Sequence, residues 1–332
     1  MTDAVWTPVR ALLDRHRRVL VTTHLGPDAD AIGSEIAFAE ILRAMGKEVA
    51  LWNASPTPRN CAFLDPAREI RAWSGPDAAV LAWADLAVIL DVNAWSNLGE
   101  VGDAIRASSL PRLLIDHHRG GDDDIAETRV SDVTAAATGV LIFEMARAFG
   151  QPITPRAATP LYAALCGDTG SFRFANTDAR ALHVAADLVA AGALPDDIYR
   201  ALFEDLSWER LRLLPHALGS LRAGADGKLA WLGITHAMFR DAGAIEEDAD
   251  RFVDQIRGLR GVEVCAVFRE LESGDVKVSL RSSGRVDVQR VAVQFGGGGH
   301  RLAAGAHLPG PYADATAKVV AALEAGVRSG GA

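Results

Sequence analysis

The sequence predicts an α/β fold, a doubly wound parallel sheet followed by a smaller mixed α/β C-terminal domain. Three observations carry this. Short apolar runs alternate with helix-length patterns through the first half of the chain. Polar residues fall directly after several of those runs, where open α/β sheets place their ligands. At 332 residues the chain is about twice a typical domain, and its texture changes after Gly224.

Val19-Leu20-Val21-Thr22-Thr23 lies between charged residues and Gly26-Pro27 and reads as a buried strand. A helix is expected over 31–45, with Ile32, Ile36, Ala39 and Leu42 roughly on one face and Gly46 as its stop. Further strands are expected at 48–52, 86–90 and 113–115. Helical patterns dominate 135–221; beyond them come strands at 228–234, 262–271 and 276–280 and helices at 246–257, 287–294 and 312–326. This gives a first domain over 1–190, a helical linker over 191–224 and a second domain over 225–332.

A content of 49% hydrophobic and 23% charged residues is that of a globular protein and excludes a disordered or collagen-like chain. No uncharged apolar stretch approaches the roughly eighteen residues of a membrane helix. Asp3, Asp14 and Arg17 are unlike a signal peptide, so a cytoplasmic location is expected. Cys61, Cys166 and Cys265 form no CxxC pair, which suggests neither a zinc knuckle nor a disulfide framework. The net charge of −9 argues against a broad nucleic-acid cradle, so a polyanionic substrate would need metal ions or a confined basic patch.

His24, Asp28 and Asp30 fall together just after the first strand. Singly, either aspartate could be a helix N-cap and the histidine a strand-end residue; together they place one imidazole and two carboxylates at a strand's carboxyl end. Asp91 ends the 86–90 run and Asp116-His117-His118 the 113–115 run, so metal-capable groups converge on one sheet edge. Asp168 sits between Gly167 and Gly170, in what could equally be a helix C-terminal turn. The Gly296–Gly299 run has neither the Gly-Lys-Ser/Thr of a P-loop nor the dinucleotide spacing; by itself it reads as a solvent loop. Arg281, by itself, could be an exposed strand residue.

In this order the motifs resemble those of the DHH phosphoesterases, named for the triplet seen here as Asp116-His117-His118. The stretch 295–305 resembles the glycine-rich motif of the DHH-associated domain of the first type, so the resemblance spans nearly the whole chain. Length and domain pairing look most like the oligoribonuclease and 3'-phosphoadenosine 5'-phosphate phosphatase branch. The resemblance implies a DHH catalytic domain with two adjacent divalent ions, His24 and Asp28 on the first, Asp30, His117 and Asp168 on the second, and Asp91 bridging both. A set without thiolate suits Mn²⁺, with Mg²⁺ or Co²⁺ as substitutes. The resemblance also implies that His118 faces the substrate phosphate and that Asp116 orients a neighbouring imidazole. Arg281, Ser282, Gly297, Gly298, Gly299 and His300 would grip a terminal nucleotide. One departure is Asn97, where the family often has arginine.

The expected function is metal-dependent hydrolysis of short single-stranded oligonucleotides or of small phosphonucleotides such as 3'-phosphoadenosine 5'-phosphate. No long duplex and no membrane is expected as a partner, and the assembly is left open, a homodimer among the options. The alternatives are a phosphodiesterase for linear or cyclic dinucleotides, a RecJ-like exonuclease, and a nucleotide sensor without turnover.

Overall fold

The structure, a computed structural model, describes residues 3–75 and 78–329; the outermost positions of the two expected domains, 1–2 and 330–332, lie outside them. The chain divides into two compact units, Met1–Asp205 and Leu206–Ala332.

The first unit holds strands β1 (Arg18–Thr22), β2 (Glu48–Asn53), β3 (Ile70–Ala72), β4 (Leu86–Leu90), β5 (Arg112–Asp116) and β6 (Thr128–Ser131), in the order β3-β2-β1-β4-β5-β6. Every pairing is parallel. Its helices are α1 (Thr7–Arg15), α2 (Ala29–Ala44), α3 (Ala78–Trp83), α4 (Gly99–Ala107), α5 (Thr138–Ala148), α6 (Pro155–Thr169), α7 (Ala179–Ala190) and α8 (Pro195–Phe203). β4 is apolar and buried throughout, as a strand covered on both faces must be. Its alternate residues feed two cores: Val88 and Leu90 pack with α2 and α5–α7, while Ala87 and Ile89 pack with Val101 and Ile105 of α4. β3 and β6 were not expected, because each is short and carries an exposed arginine, Arg71 or Arg129, in its middle.

One helix contact positions the site. A Cβ at Gly33 of α2 would stand 2.3 Å from the Pro160 carbonyl oxygen of α6, and one at Gly167 of α6 would stand 2.9 Å from the Ala29 Cβ. Only glycine lets the two helices approach so closely.

The second unit holds β7 (Arg222–Gly224), β8 (Leu229–Ile234), β9 (Val264–Glu270), β10 (Val276–Ser282), β11 (Gly298–His300) and β12 (Ala303–Leu308), in the order β11-β12-β10-β9-β8-β7. The sheet is mixed: β8 and β9 are parallel and the other pairs antiparallel. Its helices are α9 (Trp208–Gly219), α10 (His236–Ala242), α11 (Val253–Arg257), α12 (Val288–Val293) and α13 (Tyr312–Arg328). The helix expected over 246–257 is divided into a 3₁₀ turn, Glu246–Ala249, and α11, with Arg251 between them at φ 61°. Part of the glycine run is an edge strand, not a loop, and a Cβ at Gly297 would meet the Gly305 carbonyl oxygen at 2.1 Å. The segment 191–224 is shared between the units: Ile198 and Leu202 of α8 enter the first core, Leu213 and Ala217 of α9 a core of the second.

Candidate metal centre

In the first sheet the strand order reverses between β1 and β4, and a crevice opens at such a point beyond the carboxyl ends of the strands. His24 follows β1, Asp91 follows β4, and Asp116 is the last residue of β5. α2 adds Asp28 at its start and Asp30 in its first turn; α6 adds Asp168 in its last. Carboxylates at a helix C-terminus oppose the helix dipole, so Asp168 stands where stability alone would not put it.

The ligand-type atoms form overlapping groups: His24, Asp28 and Asp91; Asp30, His117 and Asp168; Asp91, Asp116 and His118, with the atoms of each group within 4.8 Å of one another. Asp91 links them. Its Oδ2 is 3.6 Å from His24 Nε2, and its Oδ1 is 3.5 Å from His117 Nε2 and 3.7 Å from His118 Nδ1. The residue itself is held at φ 59°, a left-handed conformation rare outside glycine, its N–H donating to the Ile115 carbonyl at 3.1 Å.

Backbone carbonyls set the imidazoles. His24 Nδ1 donates to the Leu25 carbonyl at 3.0 Å and His117 Nδ1 to the Ala135 carbonyl at 3.1 Å. A carbonyl can only accept, so each ring presents the lone pair of Nε2 toward the carboxylates when neutral. His117 Nε2 then lies 3.1 Å from Asp168 Oδ2 and 3.7 Å from Asp30 Oδ2. His118 differs: Asp116 Oδ1 accepts from its Nδ1 at 2.7 Å, and Asp116 Oδ2 accepts from its backbone N–H at 3.1 Å. Asn97 contributes through its backbone, its carbonyl accepting from the Leu25 N–H at 2.7 Å.

Two residues absent from the sequence reading belong here. Thr138 Oγ1 donates to Asp91 Oδ1 at 2.9 Å, and the N–H groups of Thr138 and Gly139 donate to Asp30 at 2.6 and 2.9 Å. α5 begins after Ala137, which has no capping side chain, so Asp30 caps it from another helix. The available signal was an apolar helix starting at Thr-Gly without a cap of its own.

Five carboxylates gather with three imidazoles, and among the described residues no lysine or arginine forms an ion pair with any of the five. Burial, then the charges of Asp91 and Asp168, pushes Asp30 well above the usual carboxyl range. Burial also opposes the charge on Asp91, but His24, His118 and His117 outweigh it and hold that carboxyl below its usual value. Burial disfavours a charged His24, yet contact with Asp91 and the charges of Asp28 and Asp91 raise its pKa to about 9. Such an anionic, thiolate-free cluster fits divalent cations, which would neutralise the carboxylates that now crowd one another.

The remaining sequence-predicted residues lie in the second unit. Arg281 and His300 share a sheet face, both paired through Ala303, and Gly298 pairs with Gly305 on that face. Gly299 takes φ 126°, and a Cβ there would stand 2.6 Å from the Ala303 carbonyl oxygen. Ser282, expected beside Arg281, is instead buried on the opposite face, its hydroxyl accepting from the Gly284 N–H at 3.1 Å. Strand alternation separates neighbours in sequence in this way.

Residues 18–165 match the DHH family, N-terminal domain, and residues 232–329 match the DHHA1 domain. The chain is 38% identical over 293 residues to a bifunctional oligoribonuclease and PAP phosphatase of Thermus thermophilus, covering 88% of this chain and 84% of the relative. The protein of the same description in Bacillus subtilis is 25% identical over 87% of this chain and 89% of its own length. A solved exopolyphosphatase-related protein from Bacteroides fragilis superposes with a TM-score of 0.90 at 26% identity, covering 97% of this chain and 96% of that one.

Proposed function

Because the chain belongs to the DHH family of metal-dependent phosphoesterases, with a DHHA1 domain following the first in sequence, we propose that this hydrolase cleaves short single-stranded oligonucleotides and 3'-phosphoadenosine 5'-phosphate. The observation that carries the reading is Asp91, whose two oxygens face two separate ligand groups. His24 and Asp28 would hold one divalent ion, Asp30, His117 and Asp168 a second, with Asp91 between them; Mn²⁺ is the ion the donor set favours. Bound there, the ions would lower the pKa of the attacking water and offset charge on the phosphoryl oxygens.

The chain's own residues supply the rest. Asp30, fixed by Thr138, Gly139 and Ser34, and His117, fixed by Ala135, keep their ligand atoms in place without reorganisation during the reaction. His118 Nδ1 is committed to Asp116, so proton transfer at this ring passes through Nε2. Burial opposes a charged ring, but the Asp116 hydrogen bond and the charges of Asp91 and Asp116 raise its pKa. The protonated ring suits a donor to the leaving oxygen. The second unit would hold the terminal nucleotide at Arg281, Gly298 and His300, an arginine fork suiting a phosphate or base edge. Among the described residues no helix is long and apolar enough to cross a membrane.

The test is a Mn²⁺-dependent product screen with 3'-phosphoadenosine 5'-phosphate, dinucleotides and longer single strands, with metal content measured in parallel. Released phosphate or mononucleotides, abolished by chelation, are expected. A protein that binds metal and nucleotide without turnover would be a sensor.

A further inference from the structure

We propose that Lys277 and His307 form a phosphate subsite on the open face of the second unit's sheet, for the backbone of a short single strand whose terminal nucleotide is held at Arg281 and His300; this rests on the function proposed above. Buried and half-buried residues alternate along β10, so Lys277, Ser279 and Arg281 share one face. The register sets Lys277 opposite both Arg269 of β9 and His307 of β12. Between this basic row and Arg281, Ser279 faces Gly305 and Gly305 faces Gly298, a strip with almost no side-chain bulk.

The helices α9–α11 cover only part of this face. Their core takes Leu232 and Ile234 from β8 and Cys265 and Val267 from β9, and nothing from β10 or β12. Beyond β9, Lys277, Ser279 and Arg281 are half-buried and His300 and His307 exposed.

Like charges directly opposite in a sheet destabilise it, so the basic row calls for a counter-charge. Arg269 has one in Asp250, at 2.7 Å. Among the described residues neither Lys277 nor His307 forms an ion pair; the acidic groups acting on them from around the row are Asp250, Glu246 and Asp275. Of these Asp250 is engaged by Arg269, and Asp275 lies in the turn between β9 and β10. A phosphodiester answers two basic groups at once, and a flat glycine strip admits a nucleotide backbone where side chains would exclude it. Lys277 and Arg281 are four residue steps apart along the strand, about 13 Å at roughly 3.3 Å per residue. A stacked strand rises about 3.4 Å per nucleotide, so Lys277 lies about four steps from Arg281. A pentanucleotide reaches it; 3'-phosphoadenosine 5'-phosphate does not.

Equilibrium binding in chelator tests this without turnover, using a labelled pentanucleotide followed by fluorescence anisotropy and 3'-phosphoadenosine 5'-phosphate as competitor. Lys277→Gln is expected to weaken the pentanucleotide about tenfold and to reduce its salt slope by about 0.7, the share of one phosphate contact. The competitor should bind within about twofold of wild type, and Lys277→Arg should restore the pentanucleotide. His307→Gln should act in the same direction, more weakly. Unchanged pentanucleotide binding in Lys277→Gln, or equal weakening of both ligands, overturns the subsite. Wild-type hydrolysis with Mn²⁺ separates the two failures: if it persists while Lys277→Gln binds normally, only the subsite falls; if no nucleotide is hydrolysed, the proposed function falls with it.

Discussion

Glu35 is a buried acid behind the candidate metal centre, and replacing it should change how stability depends on pH. Its Oε2 accepts from Asn53 Nδ2 at 2.7 Å, while Oε1 has no hydrogen-bond partner. Asn53 Oδ1 in turn accepts from the Thr23 N–H at 3.1 Å, and Thr23 Oγ1 donates to the Leu90 carbonyl at 2.9 Å, so the chain of contacts ends beside His24 and Asp91. Burial raises the pKa of Glu35 from 4.5 to about 8, the Asn53 hydrogen bond opposing and Asp65 adding a little. Between those two values the folded state binds the proton that the unfolded chain has released, so this group makes stability fall as pH rises through the window and level off above about 8. The full span corresponds to about 5 kcal/mol. Glu35→Gln keeps an oxygen for Asn53 and removes the ionisation. The stability difference between Glu35→Gln and wild type should therefore grow in the mutant's favour by about 5 kcal/mol from acid to mildly alkaline pH, at a slope near 1.4 kcal/mol per pH unit. Urea unfolding of the chelated protein across this range measures it, and the mutant-minus-wild-type difference cancels every other titrating group. Five of the seven tryptophans lie in the first unit, so their fluorescence follows mainly that unit. A difference that stays constant with pH would refute the reasoning.

Asp91→Ala should reduce bound Mn²⁺ by more than one ion per chain, because both ligand groups meet at this carboxylate; normal metal content and turnover in the folded variant would contradict its role. His118→Ala should leave metal content near normal and slow turnover about 10²- to 10⁴-fold, as expected for a lost proton donor. Metal loss equal to that of His117→Ala would place His118 among the ligands instead. Gly33→Ala should cost about 1–3 kcal/mol by forcing a methyl toward the Pro160 carbonyl, and should weaken metal binding by moving Asp30 away from Asp168. Thermal unfolding with metal titration checks both effects, and unchanged metal affinity would show that the α2–α6 contact does not set the ligand geometry.

How much the sequence discloses depends on whether a residue's role is fixed by its own segment. β1, β4 and β5 are legible because apolar runs announce them, and the ligand types follow immediately, where a parallel sheet gathers them. Thr138 is not legible, because its hydroxyl matters only through Asp91, 47 positions earlier. Gly33 and Gly167 look like ordinary helix glycines until Pro160 and Ala29 are seen against them. Ser282 and the Lys277–His307 pair are matters of strand face and register, which adjacency along the chain conceals.

Asp28 and Asp30 show why the competing readings of this motif cannot be separated by sequence. Asp28 caps α2, but both bonds, from the Asp30 and Ala31 N–H groups at 2.9 and 3.1 Å, go to the same oxygen, Oδ1. Asp30 caps α5 through Thr138 and Gly139 and still faces His117. A carboxylate has about four lone-pair directions, and a helix cap uses only some of them. Capping therefore does not compete with metal ligation here. It fixes the orientation of each carboxylate, so the same hydrogen bonds that start α2 and α5 would also pre-form the proposed centre.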